Sequence, residues 1–309
     1  MIREPPRRQQ RFGGRRRPGY RGAVPQDPSQ AIERDPTATR LVHRTKDGAP
    51  GAPADDVLAV EAPLEIRLDD APVAVVMRTP GADFELAAGF LFSEGLVTAP
   101  DDVAGISWCR EAGQAGPTNV VSVATPDRRG PRVVGDRRRV VTTTSACGLC
   151  GRVTLDEVHR RLAPLSPPPP LSLADLESAQ AALRAAQPHF ADTGSVHGAA
   201  LLDTQGALVA AFEDVGRHNA VDKCVGRMLL QERVPLAGHL LAVSGRVSFE
   251  IVQKAAVAGI PAVCAVGGAT SLAVDLARET GMLLAGFVRD GRATVYAGAL
   301  GARGGSQGD

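Results

Sequence analysis

Residues 240–280 read LLAVSGRVSFEIVQKAAVAGIPAVCAVGGATSLAVDLARET and follow one pattern twice: a short apolar run, a turn containing glycine, then apolar residues at helical spacing. The apolar runs predict strands at Leu240–Val243 and Ala262–Val266, and the spacing predicts helices over Val247–Ala258 and Thr270–Glu279. Alternation of strands and helices predicts an α/β layer around a mostly buried sheet.

The alternation continues on both sides of this stretch. Ser172 is a predicted N-cap for a helix that runs to about Gln187, where Pro188 would stop it. A single α/β domain is therefore predicted over residues 152–300, followed by a tail at residues 301–309. Its remaining predicted elements are strands at Ala199–Leu202, Ala207–Phe212, Met282–Val288 and Ala293–Tyr296 and a helix over Val221–Leu229.

The preceding residues predict a smaller α+β domain over residues 54–146. Leu64–Leu68 and Val73–Met77 alternate as two strands of a hairpin, and Thr79-Pro80 is a typical helix start. Gly95 would end that helix. Short strands are predicted at Val103–Trp108, Val120–Val123 and Arg139–Thr143.

Residues 1–53 predict a disordered tail rich in arginine, proline and glycine. Residues 1–22 hold eight arginines against one glutamate, a net +7, which leaves −6 for the rest of a chain with a formal net charge of +1. No apolar run is long enough to span a membrane, and no apolar stretch follows the paired arginines as an export signal would require. We expect a cytoplasmic protein with two domains and with no specific affinity for nucleic acid or membranes.

The sequence TTTSACGLCG at residues 142–151 places Cys147 and Cys150 in a Cys-x-x-Cys loop. Such a pair serves as half of a zinc site, as a redox couple, or as a nucleophilic, sulfur-carrying thiol. Sulfur or redox chemistry is favoured, because the other three cysteines are isolated and provide no second pair of zinc ligands. A capping box at Thr154 opens a helix shortly after the loop, and its positive end would favour a thiolate.

Polar groups concentrate where the predicted strands of the α/β domain end. Glycines and helix starts at such junctions, together with forked arginine side chains, favour an anionic ligand. His197 and His218 lie in the same segments, whereas Cys224 and Cys264 lie in apolar patterns typical of the core. The candidate ligand-binding arginines are Arg217, Arg246, Arg289 and Arg292.

Zinc deaminase activity is excluded by the motif. Those enzymes carry His-x-Glu upstream of Pro-Cys-x-x-Cys. Here His197 is followed by Gly198 and Ala199, and the cysteine pair lies upstream of the histidine without a preceding proline. The argument excludes the chemistry and leaves a deaminase-like fold open.

Taken together, several segments resemble the FdhD family of formate dehydrogenase accessory sulfurtransferases. The resemblance runs from about Leu58 to Gly298. It departs from the family at the loop beginning Gly267-Gly268, where relatives usually show serine-alanine. The matching segments are RTPG at 78–81, GFLFSEG at 89–95, CGLCG at 147–151, TGSVH at 193–197, EDVGRHNAVDK at 213–223, SGR at 244–246, FEIVQK at 249–254 and GFVR at 286–289.

The resemblance implies a C-terminal cytidine-deaminase-like three-layer domain, homodimers and no resident metal. It also implies that sulfane sulfur passes from a cysteine desulfurase to the bis-molybdopterin guanine dinucleotide form of the molybdenum cofactor, which is destined for formate dehydrogenase. The persulfide would form on Cys147, with Cys150 as its neighbour. The implied cofactor-binding segment is Phe287, Val288, Arg289, Asp290, Gly291 and Arg292.

Two other hypotheses remain open at the level of sequence. Cys147 and Cys150 could form the redox couple of a thiol-disulfide oxidoreductase, although Gly151 separates the pair from the next helix start. The protein could also be a binding module that holds the cofactor without sulfur chemistry, with zinc or nothing on the thiols.

Overall fold

The computed structural model describes residues 35–46, 49–109, 119–128, 141–142 and 164–301. The Cys147 and Cys150 loop, the helix predicted after Thr154 and the tails at residues 1–34 and 302–309 lie outside these ranges. The described chain is a mixed α/β structure with three sheets. The predicted α/β character is therefore confirmed, and the likeness to cytidine deaminases stays a prediction.

The largest sheet has six strands in the order β13-β12-β11-β10-β8-β9. Neighbouring strands among β10, β11 and β12 are parallel, and the three outer strands run antiparallel to their neighbours. The predicted strands of this region are all present, with bounds that differ by at most two residues. They are β8 (His197–Leu202), β9 (Leu208–Asp214), β10 (Leu240–Val243), β11 (Ala262–Ala265), β12 (Leu283–Arg289) and β13 (Arg292–Ala297).

Helices cover both faces of this sheet. On one face, α2 (Leu173–Ala185) buries Leu176 and Leu183 against the strands, and the opposite face packs against three helices. Pro188 begins the short helix α3 (Pro188–Thr193), because the fixed φ of proline suits the first position of a helix. No helix within the described ranges is long and apolar enough to cross a membrane. The other three are α4 (Arg217–Leu230), α5 (Phe249–Val257) and α6 (Ser271–Thr280).

The N-terminal half forms a five-stranded sheet in the order β5-β6-β3-β4-β7, with one helix against it. This helix, α1 (Asp83–Ser93), begins three residues later than the predicted first helical position, Pro80. Thr79 cannot cap it, because the Thr79 hydroxyl accepts a hydrogen bond from Val215 N instead. The strands are β3 (Ala62–Leu68), β4 (Ala71–Arg78), β5 (Gly105–Trp108), β6 (Val120–Ala124) and β7 (Val141–Thr142), and a 3₁₀ turn spans Pro100–Asp102.

The predicted boundary of the disordered tail at residue 53 is wrong. Strands β1 (Thr37–Lys46) and β2 (Ala49–Ala59) form an antiparallel hairpin, with Thr37 opposite Ala59. Several β-branched residues in β1 favour a strand, and the prolines of β2 are tolerated because the outer edge of β2 is unpaired among the described strands. A truncation at residue 54 would remove β1 and the first residues of β2.

One apolar cluster runs through both larger sheets, so the two predicted domains share a core. At its centre α1 crosses α4 with the two backbones in contact. A Cβ atom on Gly89 would collide with the carbonyl oxygen of Asp222, and one on Gly226 would collide with that of Glu85. Glycine is required at both positions by this close approach.

We expect Gly89→Ala to lower the free energy of unfolding by about 1–3 kcal/mol through overpacking. The loss is opposed by helix propensity, which favours alanine over glycine in a helix interior by about 1 kcal/mol. Urea unfolding of the parent and the variant measures the difference. Gly105→Ala is the matched control, since a Cβ atom there meets nothing within 4 Å. A Gly89→Ala protein as stable as the Gly105→Ala protein would contradict the close crossing.

Candidate functional site

The polar junctions predicted to bind an anion lie along one edge of the six-stranded sheet. The parallel strands β10, β11 and β12 all end there, and the antiparallel pairing of β8 with its neighbours brings His197 and Asp214 to the same edge. Helices α4, α5 and α6 begin there as well. We call this the carboxyl edge, and in open α/β sheets such an edge is the usual place for ligands.

Glycines bring the loops of the carboxyl edge into direct contact. Gly245 lies against the ring of His197 and the side chain of Arg217, and Gly267 lies against the backbone of Gly245 and Arg246. The loops after β10 and β11 are also joined by hydrogen bonds, from Val247 N to Gly268 O (3.0 Å) and from Thr270 N to Val247 O (3.0 Å). The two segments that carry the predicted residues Arg217 and Arg246 therefore lie next to each other.

Phe287 is turned out of the sheet by a bulge. The register of β12 against β13 shifts between Gly286 and Arg289, and Phe287 has φ 52°, in the left-handed region. Its amide donates to Gly267 O at 3.1 Å, and its ring lies beside Gly268 with 45% of the residue exposed. Bulges of this kind re-aim a side chain, and here the result is an aromatic surface open to a planar ligand.

The predicted segment continues into the tip of the hairpin between β12 and β13. Asp290 and Gly291 both have positive φ, as a two-residue type I′ turn requires, and Arg289 and Arg292 face each other across it. Both arginines are exposed. Gly291 N donates to the Glu177 carboxylate of α2 at 2.6 Å, which fixes the tip.

Val288, by contrast, is only 1% exposed and packs in the apolar cluster under α2. Its side chain is unavailable to a ligand, so its predicted role is restricted to its backbone.

Positive charge and imidazole groups meet at the other end of the carboxyl edge. Arg217 has its Nε buried, with no hydrogen-bond partner among the described residues. Burial lowers the pKa of His197, and the neighbouring charges of Arg217 and His218 lower it further. His218 Nε2 contacts the Glu250 carboxylate at 2.8 Å and the Ser248 hydroxyl at 3.0 Å. The arrangement offers a buried guanidinium donor beside an imidazole that favours its neutral form.

Much of the segment 213–223 holds the protein together instead of facing the carboxyl edge. The Glu213 carboxylate accepts hydrogen bonds from the first amides of α3, at His189 (2.9 Å) and Phe190 (2.7 Å). The Asp214 carboxylate forms a buried ion pair with Lys223 Nζ at 2.7 Å. The sequence analysis placed a candidate ligand-binding residue, Arg217, in this segment, and the sequence pattern contained no signal for these long-range contacts.

The predicted catalytic residues, Cys147 and Cys150, lie outside the described residues. Cys224 and Cys264 are buried in the apolar core, as predicted, and burial raises the pKa of each thiol to about 12. Within the described ranges no three His, Cys, Asp or Glu side chains are grouped so that they could hold a metal ion. A ligand site at the carboxyl edge and the reactive thiols therefore both remain predictions from sequence.

The chain is thus a mixed α/β protein whose largest sheet has glycine-containing loops in contact along its carboxyl edge. Comparison with known families places it more narrowly. The model of the FdhD/NarQ family matches residues 59–301. The chain therefore belongs to the FdhD/NarQ family, as the resemblance of its motifs predicted.

Individual relatives agree with this assignment. A protein of Anaeromyxobacter dehalogenans named sulfur carrier protein FdhD is 48% identical over 255 residues, which cover 80% of this chain and 88% of that protein. A protein of Streptomyces coelicolor with the same name is 49% identical over 272 residues, covering 85% of this chain and 94% of the relative.

The crystal structure of a Desulfotalea psychrophila protein, described as a formate dehydrogenase accessory protein, superimposes with a TM-score of 0.67. It is 26% identical to this chain, and the superposition covers 85% of this chain and 97% of that one.

We expect the protein to lose stability as the pH falls below about 6.5, in part because of His197. Burial holds the pKa of His197 below the ordinary histidine value of 6.5, so just below that pH the unfolded chain binds a proton that the folded protein excludes. Stability is then lost from pH 6.5 down to the folded pKa. Urea unfolding at pH 7.5 and 5.5 should show a smaller loss for His197→Gln than for the parent.

His43→Gln, which changes an exposed histidine of the β1–β2 hairpin, controls for the loss of an imidazole. If His197→Gln and the parent lose the same free energy of unfolding between pH 7.5 and 5.5, protonation of His197 is not a cause of the loss.

Proposed function

We propose that the protein is a sulfurtransferase of the cytoplasm that carries sulfane sulfur from a cysteine desulfurase to the bis-molybdopterin guanine dinucleotide molybdenum cofactor of formate dehydrogenase. The observation that carries the proposal is its 48–49% identity to relatives named sulfur carrier protein FdhD over most of their length. The Cys147 and Cys150 pair provides a reactive group suited to such a role. The cofactor is the substrate of this transfer and not a resident group.

Loading begins with the thiolate of Cys147. It attacks the outer sulfur of the desulfurase persulfide, the S–S bond of the donor breaks, and the donor leaves as a thiolate while Cys147 holds the persulfide. In delivery, the Cys150 thiolate attacks the inner sulfur, a disulfide forms between the two cysteines, and sulfide leaves toward the cofactor. A cellular dithiol then reduces the pair. A free thiol with a pKa of about 8.5 supplies little thiolate at neutral pH, so a nearby helix N-terminus would accelerate loading.

The carboxyl edge supports binding of the guanine nucleotide ends of the cofactor. The exposed ring of Phe287, which lies against Gly268, offers a stacking surface for a flat base. Arg292, close to that ring along the chain, and Arg246 are exposed and can fork onto phosphate oxygens. The orphaned Nε of Arg217 is a further donor that an anion would satisfy.

The alternative of a thiol-disulfide oxidoreductase has no support in the names of these relatives. It also makes a different prediction for the thiols. A redox couple cycles between dithiol and disulfide without gaining mass, whereas a sulfur carrier gains one sulfur atom for each persulfide formed.

We expect the parent protein to gain one sulfur atom after incubation with a cysteine desulfurase and cysteine, as measured by intact-protein mass spectrometry. Cys147→Ala should gain none, because it lacks the attacking thiolate. Cys150→Ala should still load sulfur but release it poorly, because the thiol that displaces sulfide is missing.

Cys109→Ala is the control, since this isolated cysteine lies outside the pair. A sulfur adduct mapped to Cys150 in the Cys147→Ala protein would reverse the assignment of the two thiols. A parent that never gains mass with any donor would favour the redox alternative.

We expect GDP to bind the protein and Arg292→Ala to weaken binding by roughly tenfold, which corresponds to about 1.4 kcal/mol for the loss of a charged hydrogen bond to phosphate. Isothermal titration calorimetry measures both affinities. The control is Arg233→Ala, which removes an exposed arginine from the loop before β10, at the opposite edge of the sheet. Equal loss in both variants, or no binding of GDP by the parent, would contradict a nucleotide site at the carboxyl edge.

A further inference from the structure

The turn that joins β12 to β13 has little support from its own hairpin. The pairing of the two strands shifts register between Gly286 and Arg289, and beyond this bulge a single pair, Arg289 opposite Arg292, closes the hairpin. Like charges in opposite positions of two strands repel each other. Strand β13 is also at the end of the sheet order, with β12 as its one partner among the described strands. The conformation of the turn therefore depends on contacts from outside the hairpin.

One carboxylate of α2 provides such a contact. Gly291 N donates to the Glu177 carboxylate at 2.6 Å, although the two residues are 114 positions apart along the chain. A hydrogen bond to a charged acceptor is shorter and stronger than one between neutral groups. No other hydrogen bond among the described residues joins the turn residues Asp290 and Gly291 to another element. Glu177 is thus the polar link between this turn and the rest of the described fold.

Helix α2 is a firm base for this link. Gln180, one helical turn beyond Glu177, is buried and donates to the carbonyl oxygen of Cys264 in β11 at 3.1 Å. Leu176 is fully buried and belongs to the same apolar cluster as Val288 of β12. The helix is therefore fixed on the face of the sheet, and Glu177 ties the turn to it.

The Glu177 carboxylate holds the backbone of the turn without neutralising its arginines. Neither Arg289 nor Arg292 makes an ion pair with a described residue, and both are exposed. A carboxylate that blocked these arginines would lie within ion-pair distance of a guanidinium group. The geometry is that of a support for the turn, and it leaves both arginines available to an anion.

We propose that Glu177 is a positioning residue for the nucleotide end of the cofactor. Glu177 holds Gly291, and the turn in that conformation presents Arg289 and Arg292 to phosphate. The inference rests on the proposed nucleotide site at the carboxyl edge. A turn that is ordered before binding does not have to be ordered by the ligand, so affinity is higher than for a loose turn.

Isothermal titration calorimetry with GDP and the full chain tests the proposal. We expect Glu177→Ala to raise the dissociation constant of GDP roughly threefold to tenfold, because the free turn must then be ordered on binding. Glu177→Gln should stay within about twofold of the parent, because its amide oxygen can still accept the hydrogen bond from Gly291. Ser178→Ala is the matched control, since it changes the neighbouring exposed position of α2.

Amide hydrogen exchange of the full chain without ligand measures the order of the turn itself. Exchange at Gly291 should be faster in Glu177→Ala than in the parent and in Glu177→Gln. The amides of β11 should exchange as in the parent, which would show that the sheet is intact. Weaker GDP binding without faster exchange at Gly291 would mean that Glu177 does not act through the turn, and would overturn the proposal.

The affinities separate this inference from the nucleotide site on which it rests. Unchanged GDP affinity in Glu177→Ala would overturn the inference and leave the nucleotide site in place. Tighter binding in both Glu177→Ala and Glu177→Gln would show that the negative charge opposes the ligand, which would also overturn it. No binding of GDP by the parent would contradict the nucleotide site, and the inference with it.

Discussion

The buried ion pair between Asp214 and Lys223 is the contact on which the relation between the two large sheets depends. Asp214 is inaccessible, and its carboxylate accepts hydrogen bonds from Thr79 N at 3.2 Å and Gly216 N at 2.8 Å. Lys223 Nζ donates to the Thr79 carbonyl oxygen at 3.0 Å. Removing one partner would leave a buried charge uncompensated, at a cost of about 3–5 kcal/mol. Asp214 lies in β9, Lys223 lies in α4, and Thr79 directly follows β4. The ion pair and its hydrogen bonds to Thr79 therefore hold the N-terminal sheet against the first loop of the carboxyl edge.

Most elements of the fold follow from local patterns, and those that do not are governed by distant contacts. The strand at Leu240–Val243 was predictable to the residue, because a buried parallel strand is a continuous apolar run. The start of α1 was not, because Thr79 meets its partners more than 130 residues away along the chain. The β1–β2 hairpin escaped prediction because its exposed faces show no apolar period, and two of its residues are prolines.

The candidate site shows the same division between local and long-range information. Glycines and helix starts after the predicted strands marked the junctions that carry Arg217 and Arg246, and the structure places these junctions along one edge of the sheet. The outward turn of Phe287 was not predictable, because it depends on a hydrogen bond to Gly267 in a different loop. Val288 is buried in the structure, whereas Phe287, which has the larger apolar side chain, is exposed. The alternation of residues along the strand from Leu283 does not predict this difference.

The burial of Cys224 and Cys264 bears on how a reactive form of sulfur can be kept in one place. With pKa values raised to about 12, both thiols stay protonated at neutral pH, and a protonated thiol is a poor acceptor of a persulfide sulfur. Enclosure by apolar side chains also denies them contact with any incoming group. A labile sulfur atom carried by this protein would therefore not be transferred to Cys224 or Cys264. Burial of the two thiols prevents that side reaction, whatever the rate of delivery to the intended acceptor.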